Sequence, residues 1–330
     1  MKNLLKLIIM LCAMMASIAV SAQPEPVNIP LSDQRAGAIL VFPYYSSSMI
    51  NPATHDTRMT ISNASDTQQV VHLLMIDSQR CEEQDIFICL NKRQSCELLA
   101  SDIDPDVKDG YLIAVAVDAT TGCPVNNNVL IGGAFLKMPA NTLHSSAGAV
   151  SGAYTAEAFY ARQPIAAADC DGITAVLRFD GTYYDQVGKY LATDIQAPSV
   201  IPGQTIVTVG LDGDISLGDI HGASQSATGL VYNSAERLAS FSRFLIGGCM
   251  AKGVITDTAP KVVYRLNKFL SGGQNFGTMK IPIGAGVGLF IVPENTKGWS
   301  GIRPMLKMTP HPGATLVVPV FAPTGVCPVP

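Results

Sequence analysis

Four aspartates fall within eight residues, in Asp102-Ile-Asp104-Pro-Asp106-Val-Lys-Asp109. Carboxylates that alternate along a loop can converge on a hard cation, and calcium takes about six to eight oxygen ligands. Asp102, Asp104, Asp106 and Asp109 are therefore the metal candidates, with calcium as the ion. The loop departs from the EF-hand pattern: Val107 stands at its sixth position instead of glycine, and Ile113 at its twelfth instead of a bidentate glutamate. An acidic inter-strand loop whose aspartates close turns is the plainer reading. Asp212-Gly-Asp214 with Asp219, and Asp169 with Asp171, are weaker versions of the same idea.

Nucleophilic chemistry finds little footing. The histidines are His55, His72, His144, His221 and His311, and none belongs to an HExxH motif or a close ligand pair. His221 precedes Ser224 and Ser226 in HGASQS, but a nucleophile elbow needs GxSxG on a strand-to-helix turn, and the pattern is absent. No catalytic and no cofactor-binding residue is assigned, and the chain leans away from being an enzyme. Tyr44, Tyr183 and Trp299 are candidate stacking platforms for a sugar ring, against the competing reading of core and edge packing. Adjacent aromatics such as Tyr44 and Tyr45 must point to opposite faces of a strand. The glycine-rich stretch Gly284-Ala-Gly286-Val-Gly288 lacks the lysine and helix of a phosphate loop and reads as a bulge or close approach of backbones. Asn63-Ala-Ser65 matches a glycosylation sequon.

The elements that must position these residues are strands. Apolar runs predict strands at 38–44, 58–62, 70–76, 86–90, 97–100, 111–117 and 129–137. Further runs predict them at 173–179, 205–211, 229–232, 240–246, 262–266, 288–292 and 315–321. Pro43 suits a strand end or edge. The one helix candidate lies within 155–162 (TAEAFYAR). Short strands broken by Gly, Pro, Asn and Asp turns indicate an all-β protein of the sandwich or jelly-roll kind. Mature length suits two β-sandwich domains, immunoglobulin-like or jelly-roll-like. A lead-in over 23–35 precedes a first domain over 36–195 and a second over 196–330, with a boundary near 150 as the alternative. A faint repeat at an offset of 170 relates the strand-turn-strand around Asn63-Ala-Ser-Asp66 to that around Asn233-Ser-Ala-Glu236, each followed by a cysteine, Cys81 or Cys249.

Residues 1–22 read as a cleaved signal peptide. A short basic start is followed by the apolar run Leu7 to Val20 and the small residues Ser21-Ala22. That run, about 14 residues, is too short to cross the hydrocarbon core as a helix. Export permits disulfides. Seven cysteines remain after residue 22, an odd number, so at least one is free or pairs between chains. No CxxC or CxxH spacing points to zinc. Cys81, Cys89, Cys249 and Cys327 are the disulfide candidates: Cys249 with Cys327, the two in the C-terminal part, and Cys81 with Cys89 across a short loop.

Composition narrows the partners. The chain has 22 basic and 26 acidic residues, a net charge of −4, which offers no footprint for nucleic acid. Charged residues are 15%, against about 25% in typical soluble domains. Aromatics at 7% are thin for the girdles of an outer-membrane barrel, and the apolar runs are continuous where a barrel wall would alternate.

VFPYY (Val41 to Tyr45), TRMTISN (Thr57 to Asn63), ASDIDP (Ala100 to Pro105), GYLIAVAVD (Gly110 to Asp118) and GCPV (Gly122 to Val125) resemble a family of exported bacterial proteins of unassigned function. The similarity extends to LRFDGTYYDQ (Leu177 to Gln186) and spans about half of the mature chain. It implies export and a common fold, and it brings no site residues. The expectation for function is a non-catalytic exported protein with a structural, adhesion or assembly role at the cell envelope or outside the cell. Its partner would be itself or another envelope or extracellular protein. The alternative is a carbohydrate- or calcium-dependent recognition module, with a secreted hydrolase third.

Overall fold

The structure is a computed structural model that describes residues 35–103, 108–224, 228–295, 298, 300–323 and 325–327. The leader and most of the lead-in fall outside the described residues. The chain is all-β, as its patterning predicts. Its first part runs β1 (Ile39–Ser46), β2 (Asp56–Asn63), β3 (Gln69–Asp77), β4 (Glu83–Leu90), β5 (Ser95–Leu99), β6 (Asp109–Val117), β7 (Leu130–Met138), β8 (Val150–Thr155) and β9 (Glu157–Phe159), with one helical turn, α1 (Ala100–Ile103), after β5. Then follow β10 (Thr174–Phe179), β11 (Gly188–Gln196), β12 (Thr205–Gly210), β13 (Asp212–Asp214), β14 (Asp219–His221), β15 (Gly229–Asn233), β16 (Leu238–Phe241), β17 (Ile246–Gly247) and β18 (Met250–Val254). The short helix α2 (Leu266–Ser271) leads to β19 (Phe276–Val292), β20 (Gly301–Pro304), β21 (Leu306–Pro310) and β22 (Ala314–Pro319).

The first part builds two sheets, β5-β2-β7-β8 and β4-β3-β6-β1-β9. The second of these is buried on both faces, and β1 and β6 each carry eight consecutive buried residues. That is why their sequences run apolar without alternation. Leu40 and Phe42 face the outer sheet, where Gly132 leaves room for them: a Cβ there would lie 2.8 Å from the Phe42 ring. On the opposite face Phe159 meets Phe179 of β10, ring centroids 4.9 Å apart, and His72 meets the edge of Phe321.

That opposite face packs on the rest of the chain. A four-stranded sheet, β10-β22-β13-β14, joins three strands from the middle of the sequence to one near its end. A larger sheet is organised around β19, whose first half pairs with β11 and β15 and whose second half pairs with β12 and β20. The glycine run anticipated as a close approach lies at this change of partners: a Cβ on Gly286 would sit 2.0 Å from the Val209 carbonyl oxygen. Side chains then alternate between two cores. Val207, Val209, Leu289 and Ile291 join the core under the first sheets, while Ile206 and Phe290 join a second core with Leu191, Met279 and Phe269.

Strands on either side of residue 195 share sheets: β10 lies against β22, and β11 lies along β19 up to Gln196. Several expectations need correction. Residues 155–162 are not helical; β9 there is buried and pairs with β1. Burial on the edge of β1 outweighs the helix propensity of alanine and glutamate. Residues 262–265 form no strand and lead into α2. Pro43 lies within β1, at a register shift between Phe42 and Tyr45 and past Val41, where pairing with β9 ends. The two turns of the faint repeat are alike, since Asn63 and Asn233 are both buried and each side-chain oxygen accepts a backbone N–H two residues on. Their connections differ: β15 and β16 form a hairpin, whereas β2 and β3 belong to different sheets.

Three disulfides form, Cys81–Cys249, Cys89–Cys327 and Cys123–Cys170, and Cys96 is a free thiol. All four candidate cysteines are oxidised, but neither proposed pairing occurs. Cys81 lies in the β3–β4 turn and Cys89 faces Val70 near the far end of the same hairpin. Eight residues of extended chain span about 26 Å, far beyond the roughly 7 Å limit between bridged Cα atoms.

Candidate functional site

A cleft of about 580 Å³ opens where the end of β1 meets β12 and β18. Tyr44 and Ser46 come from β1, His55 from the loop before β2, Asp109 from the start of β6, and Lys252 from β18. Met49 and Ile50, at the exposed tip of the β1–β2 loop, form an apolar lip.

Asp109 is the hub of its floor. Its carboxylate accepts from Ser78 Oγ and Lys252 Nζ, and from the Tyr44 hydroxyl at 3.4 Å. Lys252 also lies over the Tyr44 ring, 5.9 Å from its centroid. Burial, and then the Asp109 charge, push the Tyr44 phenol well above its ordinary range, so it remains a neutral donor. Ser78 and Lys252 are brought together by Cys81–Cys249, which ties the β3–β4 turn to the residue preceding β18.

Beside this hub Ser46 Oγ lies 2.7 Å from His55 Nε2 and donates to the Lys108 carbonyl at 3.1 Å. A hydroxyl has one proton. That proton lies on the Lys108 carbonyl or on His55 according to the imidazole tautomer. Burial lowers the His55 pKa, partly offset by Asp56 and Asp109. Asp56 is occupied elsewhere, accepting from Ser101 Oγ at 2.6 Å and from the Thr57 N–H at 2.8 Å.

The residues singled out from sequence do not share one place. Of the four aspartates, Asp104 and Asp106 lie outside the described residues. Asp102 sits exposed on α1 beside Arg58 and Glu97, on the outer sheet. Asp109 belongs to the cleft, with its charge met by Lys252. Among the described residues, no group of three or more His, Cys, Asp or Glu side chains is arranged to hold a metal ion. Tyr44 is buried at one end of β1. Tyr183 lies past the other end, where its carbonyl accepts from the Arg162 N–H beyond β9. Trp299 and Ser226 lie outside the described residues. His221 pairs with Asp219 at 3.3 Å in solvent. The sequon asparagine is buried, and its amide donates to the Thr67 and Asn91 carbonyls at 2.7 and 3.1 Å, so it presents no acceptor for a glycan.

Ser46, His55, Ser78 and Lys252 were not singled out from sequence. The one available signal was Lys252, a lone charge within an otherwise uncharged strand, MAKGV.

No protein-family model matches the chain, and no curated protein matches it. Among solved structures, Thermotoga maritima 1070 is similar at 10% identity, over 37% of this chain and 95% of that one, with a TM-score of 0.28. A lectin from Pleurotus ostreatus, in complex with GalNAc, is similar at 9% identity over 82% of each chain, with a TM-score of 0.15. Likenesses this remote carry no argument about ligand or activity.

Proposed function

We propose that this is a non-catalytic exported protein with a structural, adhesion or assembly role at the cell envelope or outside the cell, working through contacts with copies of itself or with another protein there. The observation that carries the reading is the outer edge of β21. Among the described strands it pairs with β11 alone. Leu306 is 73% exposed and Met308 42%. The strand's one lysine, Lys307, turns inward to a buried ion pair with Glu157, so Leu306 and Met308 on its other face are presented to solvent without a charge of the strand beside them.

Two further observations support the reading. Three disulfides suit an oxidising compartment. The polar groups of the cleft are bonded to one another, with Asp109 taken by three donors, which suits a role in binding.

The test is the mass of the mature protein, Gln23 to Pro330, by light scattering after size exclusion over a range of concentrations. Assembly is expected, and Leu306→Lys with Met308→Lys should abolish it. A monomer at every concentration, or an assembly indifferent to both lysines, would sink the proposal.

A further inference from the structure

One row across the five-stranded sheet carries an acid that has no counter-charge among the described residues. Glu83 of β4 and Tyr111 of β6 both lie opposite Ile76 of β3, so their side chains share a face. Asp85, two residues along β4, shares it too. This is the face turned toward β13, and the field of Asp214 on β13 reaches Glu83. The turn of the β13–β14 hairpin, at Gly218, lies against the backbone of Arg80 and Cys81.

The charged groups around Glu83 are all acidic or already engaged. Asp85 is bonded to His72 of β3 at 2.6 Å. Asp214 accepts from Ser216 at 2.8 Å. Arg80, in the turn, pairs with Glu82 at 3.3 Å. On β14, Asp219 pairs with His221. Glu83 Oε2 and the Tyr111 hydroxyl are both buried without a hydrogen-bond partner, and Tyr111 is wholly buried. An ionised carboxylate in that position would be partly desolvated and repelled from two sides.

We propose that Glu83 is a proton-operated lock between the two sheets: it carries a proton while the β13–β14 hairpin is docked, and its ionisation loosens that hairpin. The neutral carboxyl removes the repulsion with Asp85 and Asp214. The carboxylate restores the repulsion beside β13, which joins β22 through two register pairs and through hydrogen bonds from the Ile215 N–H to the Val317 carbonyl and from the Thr315 N–H to Asp212. Burial, followed by Asp85 and Asp214, raises the Glu83 pKa from 4.5 to about 7, so the lock works near neutrality.

Two measurements on the mature protein test this. Carboxyl carbon NMR should place the Glu83 midpoint near 7; a midpoint near the ordinary 4.5 overturns the proton site. Hydrogen exchange of residues 212–221, corrected for its intrinsic pH dependence, should quicken from mildly acidic to mildly alkaline solution, by about tenfold for each pKa unit that docking of the hairpin adds to Glu83. Glu83→Gln should abolish that rise. Exchange indifferent to pH, or a rise that persists in Glu83→Gln, overturns the lock. Asp214→Asn gives an independent check, because losing one repelling charge should lower the Glu83 midpoint, and an unmoved midpoint contradicts the assigned neighbours.

Discussion

At the scale of single residues, Asp109 shows how position redefines a side chain. In sequence it is the last of four candidate calcium ligands; in the fold it is the anchor of Lys252, Ser78 and Tyr44. Asp109→Asn would leave the ammonium of Lys252 without its counter-ion. Stability should fall by about 1–2 kcal/mol, measured by urea unfolding. Two other residues set the pH response, with opposite signs. The half-buried His55 resists protonation, so the unfolded chain takes up that proton first as pH falls through 6.5, and stability is lost on the acid side. Glu83 in the fold holds a proton that the unfolded chain has released between 4.5 and about 7, so stability is lost as pH rises through that window. The effects partly cancel in the native protein. His55→Gln should therefore unmask the alkaline loss and Glu83→Gln the acid loss, read from unfolding midpoints at about pH 5.5, 7 and 8.5. Parallel curves for both variants would refute this assignment.

At the scale of elements, β19 decides the architecture. It serves two sets of neighbours along 17 residues, and it can do so because backbone replaces side chains where they meet. Gly286→Ala places a methyl group 2.0 Å from a carbonyl oxygen of β12, a conflict that neither strand can relieve without breaking its ladder. The expected loss is about 3 kcal/mol or more. Gly313→Ala, with open space around the added carbon, should change stability by less than about 0.5 kcal/mol. Equal melting temperatures for the two variants would remove β19 from this role. Most strands were legible because their apolar runs are long and bounded by turn residues. The short β9 was not, because TAEAFYAR carries helix formers and only contact with β1 makes it a strand.

At the scale of the whole molecule, the disulfides are what join early chain to late chain. Each links a residue no later than Cys123 to one no earlier than Cys170, across separations of 168, 238 and 47 residues. Closing loops of that length restricts the unfolded chain strongly, by about 4–5 kcal/mol for the longer two. Native alkylation of a chain spanning residues 23–330 should label one thiol, Cys96, and reduction in denaturant should expose the rest; more than one label in that native protein would contradict the pairing. Cys81→Ser with Cys249→Ser should destabilise the protein by a few kcal/mol and free the Ser78 and Lys252 ends of the cleft, read as faster hydrogen exchange at 77–82 and 249–254.

The sequence by itself determined the all-β class, most strand positions, the oxidised character of the four candidate cysteines and the close backbone approach at Gly286. These are local properties, written in periodicity, turn residues and composition. Tertiary structure alone decided which cysteines meet, which strands share a sheet, and that Ser46, His55, Asp109 and Lys252 line one cleft. The physical reason is distance along the chain: Asp109 and Lys252 are 143 residues apart. The stacking of sheets, driven by burial of strands that are apolar on both faces, brings them together, and the Cys81–Cys249 bridge ties the same seam.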